Sequence, residues 1–243
     1  MQRLLSTAMS KYGDKTYMAS ELSKEVIIIC EGAADKNFFR KLIEKRSGLP
    51  QFDIPFPMQG KDLGGVNAFK HWLEAIRGDR HGFSKLKGVL LVADSASNPI
   101  STFNDVCTQI KNATGYAIPT KPDEVTPRVA DYPQVAVMLI PNESSPGGLE
   151  SLCVSEITNR EPWISTCVNK FLSCGNIQAL KWSPEKLDKA RYHSMISALN
   201  EDDPSRALSY AFKDPNPVIS VENPCFDEVY NKLKNFCLAV GAS

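Results

Sequence analysis

No stretch of the 243-residue chain approaches the ~20 consecutive apolar residues that a membrane span needs. Its first residues, MQRLLSTAMSKYGDK, also lack the apolar centre of a secretion signal. The expectation is a cytoplasmic protein with no membrane partner. The seven cysteines (30, 107, 153, 167, 174, 225 and 237) are odd in number and include no C-x-x-C pair. Zinc ribbons and paired disulfides are therefore not indicated, and buried reduced thiols are expected. The three histidines, His71, His81 and His193, are scattered at no metal-ligand spacing. No G-x-x-x-x-G-K-[ST] phosphate loop occurs, and there are no repeats or low-complexity tracts. Net charge is absent as well: 28 Lys+Arg balance 28 Asp+Glu, which argues against a general nucleic-acid coat protein. The balance conceals an asymmetry. Residues 1–93 carry 15 basic against 10 acidic side chains and residues 94–243 carry 13 against 18, so the halves are +5 and −5. A basic face on the first half attracts phosphate, although solvated helix surfaces produce the same count.

What is present is ordinary globular material, 42% hydrophobic and 23% charged, enough for a sizeable core. The first part of the chain alternates two periods. Residues 25–30, 88–93 and 135–140 read as strands, and their apolar runs from Val26, Gly88 and Val135 are of the kind buried on both faces. Residues 52–58 read as a proline-interrupted strand near an edge. Between the strands, 34–46, 64–77 and 100–113 have helical periodicity, and the proline-rich 115–134 reads as a long loop. Strands alternating with helices of this length predict an α/β fold with a mainly parallel sheet. After residue 140 the pattern is helical, over 149–157, 162–173, 184–199, 204–212 and 226–240, with Ser183-Pro184 and Asp203-Pro204 as cap-and-proline starts. The predicted division is an α/β core over 1–145 and a helical C-terminal part over 146–243, packed on it.

Three acidic points lie at or just after strand ends: Glu31 with Asp35 in "VIIICEGAAD", Asp94 in "GVLLVADSASN", and Glu150 in "PGGLESL". In a parallel sheet, ligands bind beyond the carboxyl ends of the strands. Carboxylates gathered there repel one another unless a divalent cation lies between them, and Mg²⁺ (or Mn²⁺) suits hard oxygen donors while keeping positions for water and phosphate. Gly32 permits a tight turn and close approach of backbone to a ligand. Asp35 has a second role open to it, as a partner of the helix N-terminal dipole.

"VIIICEGAADKNFFRKLI" followed by "GVLLVADSASN" resembles the Toprim superfamily, whose members place Glu-Gly at the end of the first strand and Asp-x-Asp at the end of a later one. The similarity is to small OLD-nuclease-like Toprim proteins, supported by the turn and helix "QGKDLGGVNAF", by "PGGLESL" and by the helix "DKARYHSMI", and it spans about residues 24–240. The resemblance implies a Rossmann-like sheet and a Mg²⁺-dependent nuclease acting on DNA or RNA. Glu31, Asp35, Asp94 and Glu150 would be metal ligands, and Lys189 would be the basic residue that meets a phosphate. Lys36, Arg40 and Lys41 of the first helix would contact backbone phosphates, or else form a plain solvated face. The sequence departs from the pattern at one place. Ala96 stands where the second aspartate belongs, which lowers the charge of the site and weakens one of two metal positions. The alternative reading is therefore a catalytically impaired module that binds nucleic acid or a partner such as a separate ATPase chain. Nucleotidyl transfer ranks last, since no other part of a primase is present.

Overall fold

The computed structural model describes residues 22–55, 65–178, 180–213 and 217–242. Its centre is a three-stranded sheet of β1 (Val26–Cys30), β2 (Gly88–Asp94) and β3 (Gln134–Ile140), in the order β1-β2-β3 and parallel throughout. Val26 pairs with Gly88 and Gly88 with Gln134, so the strands start level, while β2 runs on to pair Asp94 with Ile140. Alternation along each strand sends side chains to two separate buried clusters. Val26, Ile28, Leu90, Val92, Ala136 and Met138 face one cluster, and Ile27, Ile29, Val89, Leu91, Val135 and Val137 face the other. Both faces being covered explains why these runs have no polar alternation.

Helix α1 (Ala33–Lys45) covers the first face with Phe38, Phe39 and Leu42. Helices α2 (Ala68–Gly78) and α4 (Pro99–Ala113) cover the second, joined by the short α3 (Arg80–Lys85). The C-terminal part adds α5 (Leu149–Arg160), α6 (Pro162–Leu172), the short α7 (Gly175–Gln178), α8 (Pro184–Leu199) and α9 (Asp227–Val240). Buried residues of α5, α6, α8 and α9 join α1 in one continuous cluster on the first face of the sheet. The molecule is thus an α/β protein with a parallel sheet flanked by helices and a helical C-terminal segment.

The expected long helices all form, with their ends moved by a few residues, and Gly64 lies outside the described residues. Two expectations fail. The stretch 204–212 is not an α-helix but turns closing in a 3₁₀ turn at Leu208–Tyr210. The Asp203 and Pro204 carbonyls accept from Asn200 Nδ2 (2.8 Å) and Ser197 Oγ (2.7 Å) of α8. Those contacts and burial of Leu208, Ala211 and Phe212 in the core set the path of the chain. The stretch 52–58 supplies no strand among its described residues, only one parallel bridge, in which Ile28 N–H donates to Asp53 O (2.9 Å) and Asp53 N–H to Val26 O (3.0 Å). Pro55, two residues on, has no N–H to continue the ladder, and residues 56–58 lie outside the described set. The bridge still protects the free edge of β1. The edge of β3 is covered by the loop between α4 and β3, through Asp123 N–H to Val137 O and Thr126 N–H to Val135 O.

All seven cysteines are free thiols, with Cys30, Cys153 and Cys237 buried but Cys167 and Cys174 exposed on the α6–α7 surface. Among the described residues no helix is long and apolar enough to cross a membrane.

Candidate functional site

The C-terminal ends of β1 and β2 bring the first two carboxylates together. Cys30, the last residue of β1, pairs with Val92, so Glu31 follows at the same sheet edge where Asp94 ends β2. The turn into α1 returns a third: Asp35 Oδ2 accepts the Gly32 N–H at 2.9 Å. A Cβ at position 32 would lie 3.0 Å from that oxygen, so glycine allows the carboxylate to fold back over the turn. The 3₁₀ turn Gly65–Asn67 that leads into α2 also reaches the site, since a Cβ on Gly65 would fall 3.5 Å from Glu31 Oε2.

Residues after Asp94 bring in the fourth. Ser95 is fully buried and its Oγ donates to Asn142 O at 2.6 Å. Ala96 N–H donates to Gly147 O (2.8 Å) and Gly147 N–H to Ala96 O (2.7 Å). These bonds tie the segment before α5 to the end of β2, so that α5 begins against Asp94. The Leu149 N–H donates to Asp94 Oδ1 at 3.2 Å. Gly148 is required here, because a Cβ would lie 2.7 Å from the Asp94 carboxyl atoms. Glu150, the second residue of α5, is thereby carried to the same rim.

The charges at the rim are poorly compensated. Burial, then the charge of Asp94, pushes Glu31 up to about 8, partly offset by hydrogen bonding from the Asp94 backbone and by Lys189. Burial, then Glu31, pushes Asp35 up to about 7, with Glu150 adding to the rise. Asp94 is held well above the ordinary carboxylate range by burial, by Asp35 and by Glu150. Lys189 on α8 stands close enough to ease Glu31 and Asp94, but its Nζ is bonded to Glu185 Oε1 at 2.6 Å. That hydrogen bond, with the charges of Glu150 and Asp94, raises its own pKa and keeps it protonated.

Thus the structure brings Glu31, Asp35, Asp94, Glu150 and Lys189 into one electrostatic neighbourhood. Among the described residues no three histidine, cysteine or carboxylate side chains stand as a ready-made metal cage. The donor set itself, hard carboxylate oxygens with unbalanced charge on two strand ends and two helix starts, is of the kind that takes Mg²⁺ or Mn²⁺. At position 96 the residue is in the left-handed region (φ 50°), where it contributes backbone bonds and no carboxylate.

The basic residues of α1 divide. Lys36 and Lys41 are only 9% and 7% exposed, whereas Arg40 is exposed. Lys41 Nζ lies 3.1 Å from Glu44, and burial with the charge of Arg40 lowers Lys36 to about 8. Arg46 is engaged elsewhere. It pairs with Asp227 at 2.6 Å, donates to Val221 O and Asn223 O, and lies 5.2 Å from the Tyr230 ring centroid. That clamp joins the end of α1 to the start of α9.

Sequence reasoning did not single out Glu185, which raises Glu31 and holds Lys189, nor the steric need for Gly148. Glu185 sits in the first turn of α8, where an acid is ordinarily taken for a dipole partner, and only its i,i+4 spacing to Lys189 hints at more. Gly148 was visible inside "PGGLESL", but its contact with Asp94 spans 54 residues of chain.

Neither a curated protein nor a solved structure matches the chain. The family model described as "Protein of unknown function (DUF3226)" matches residues 25–238, from β1 to the last turns of α9 and therefore the whole carboxylate rim, and the chain belongs to that family.

Proposed function

We propose that the chain is a Mg²⁺- or Mn²⁺-dependent phosphodiesterase acting on nucleic acid, with Glu31, Asp35, Asp94 and Glu150 as the metal-binding carboxylates. One observation carries this reading. Buried Asp35 and half-buried Glu31 and Asp94 are raised by desolvation and by one another at the carboxyl edge of a parallel sheet, and the neighbouring Lys189 is bonded to Glu185. Burying charge without a partner is costly, and a divalent cation removes that cost by displacing the protons that the raised carboxylates otherwise hold near neutral pH.

When bound, the metal would supply Lewis-acid polarisation of a phosphate and a more acidic water. The chain's own groups do the rest. Glu31 and Asp94 project from strand ends held by the sheet ladder, so they offer oxygens from a rigid base. Asp35 and Glu150, each in the first turn of a helix, are placed to hold or orient water at the same rim. Lys189, protonated at neutral pH, meets the negative charge that a phosphate brings. Resemblance of the Glu-Gly and strand-end Asp pattern to OLD-like Toprim proteins supports the same reading, as does its expected cytoplasmic location.

Ala96 favours a second reading, a module with impaired catalysis that binds nucleic acid or a separate ATPase chain. Its left-handed backbone and paired bonds to Gly147 complete the loop without providing a carboxylate. Incubation with single- and double-stranded DNA and RNA in Mg²⁺, Mn²⁺ or EDTA separates the two. The leading reading expects metal-dependent cleavage that Glu31→Ala lowers by at least about a hundredfold, beyond the loss typical of groups that only support a metal ligand. No cleavage by the wild type with either ion would sink it. Cleavage that survives Glu31→Ala would place the chemistry elsewhere.

A further inference from the structure

A second charged region lies where α1 meets the turns that follow α8. A cavity of about 340 Å³ opens there, lined by Asn37, Arg40, Lys41 and Glu44 of α1 and by Ser209 and Lys213. Its walls are firmly held: Asn37 Nδ2 donates to Ser209 O at 2.8 Å, and the Phe38 and Phe212 rings pack with centroids 5.4 Å apart. The charge in it is one-sided. Glu44 is matched by Lys41 at 3.1 Å, which leaves Arg40 and Lys213 in excess. Lys213 Nζ instead lies 4.0 Å from the centroid of the Tyr210 ring, and that ring is 51% exposed.

Cations in a walled cavity concentrate an anion. An exposed aromatic ring beside them adds a surface on which a base stacks, and this combination of cation and ring is how proteins hold single strands without reading their sequence. We propose that the Arg40–Lys213 cavity holds a backbone phosphate of a single-stranded nucleic acid while Tyr210 stacks the adjoining base. The assignment rests on the phosphodiesterase reading for its substrate class, and α1 connects the two places. Arg40 is five residues beyond Asp35, about 7.5 Å along the helix axis at the ~1.5 Å rise. Five residues also turn the helix by roughly 140° at ~3.6 residues per turn, so Asp35 and Arg40 leave different sides of α1. A strand with one phosphate at the carboxylate rim thus reaches the cavity by passing around α1.

The test is fluorescence anisotropy of the full chain with labelled single-stranded and duplex oligonucleotides, in EDTA so that neither metal nor cleavage contributes. The wild type should prefer the single strand. Replacing both Arg40 and Lys213 (Arg40→Gln, Lys213→Gln) should weaken binding roughly tenfold at low salt. It should also lower the slope of log affinity against log salt by about 0.7, the ~0.7 expected for the one phosphate held. Tyr210→Ala should weaken binding about tenfold and leave the slope unchanged. Arg40, Lys213 and Tyr210 are exposed, and circular dichroism confirms that each variant is folded. Wild-type affinity and slope in the double variant, preference for duplex, no binding by the wild type, or displacement by inorganic phosphate at the oligonucleotide's own concentration would each overturn the proposal. Absence of Mg²⁺-dependent cleavage would sink the phosphodiesterase reading without altering these metal-free results, so the two ideas fail separately.

Discussion

Two groups of carboxylates in this molecule are treated in opposite ways. On α9, Lys232 Nζ lies 2.8 Å from Asp123, 2.8 Å from Glu143 and 3.2 Å from Glu228. Burial works against its charge, yet hydrogen bonds to Asp123 and Glu143 hold its pKa well above the ordinary lysine value. Its own hydrogen bond lowers Glu143, and it offsets part of the rise that burial imposes on Asp123. There the lysine is central and the acids are its ligands, so the cluster staples two loops to α9. At the strand-end rim the geometry is reversed. Burial and mutual repulsion raise Glu31, Asp35 and Asp94, and Lys189 stands aside with Glu185. Three acids around a lysine make a structural tie, whereas acids that repel one another at a ligand-binding sheet edge leave a charge for something else to neutralise.

That contrast is open to direct attack, and the largest effect belongs to the lysine. Lys232→Met strands three acids of which Asp123 is substantially buried, and should lower unfolding free energy by about 2 kcal/mol, less than for a fully buried pair. Lys189→Met breaks an exposed i,i+4 pair and should cost about 0.5 kcal/mol. Urea denaturation measures both, and equal losses would erase the distinction. Neutralising one acid in each cluster should give effects of opposite sign. In EDTA, Asp94→Asn keeps an acceptor for the Leu149 N–H while relieving repulsion, and should raise stability by about 1 kcal/mol. Asp123→Asn removes a partner of Lys232 and should lower it by a similar amount. A destabilised Asp94→Asn protein would mean that the rim is already balanced.

Proton linkage provides a third test. Glu31 near 8 and Asp35 near 7 in the folded chain both lie above their unfolded values. The folded state therefore retains protons that the unfolded chain has released, and stability is lost as pH rises through the folded values. In EDTA the melting temperature should fall from about pH 5 to about pH 8.5, and saturating Mg²⁺ should flatten the fall. A metal-free melting temperature that climbs over this window would contradict the assigned shifts. The smallest structural effect is expected from Ala96→Asp. Position 96 has φ 50°, and aspartate enters the left-handed region more readily than alanine, so stability should change by less than about 0.5 kcal/mol. A carboxylate added beside Asp94 should nonetheless tighten Mn²⁺ binding about tenfold by calorimetry, roughly the ~1.4 kcal/mol that separates tenfold steps. Unchanged affinity would remove Ala96 as the cause of any catalytic weakness.

By itself the sequence determined the strands and most of the helices. A strand buried on both faces must be apolar at every position, so the runs ending in Cys30, Ala93 and Ile140 could be read directly. Once those ends were located, the parallel order predicted from the crossover lengths placed Glu31 and Asp94 at one edge, and "PGGLESL" pointed to Glu150. The tertiary structure decided everything that depends on residues distant in the chain. Leu208, Ala211 and Phe212 are buried in the core that α1 shares, with Phe212 against Phe38, and the 204–212 helix does not form. Arg46 turns to Asp227 and the turn before α9, a contact across 181 residues. Gly148 presses against Asp94, and Asn37 of α1 ties the 208–210 turn to that helix through Ser209 O. Periodicity records which face of an element is buried, because that demand recurs every two or three to four residues along the chain. A charge pair or a close approach between distant segments leaves no such repeat, so only the folded packing selects it.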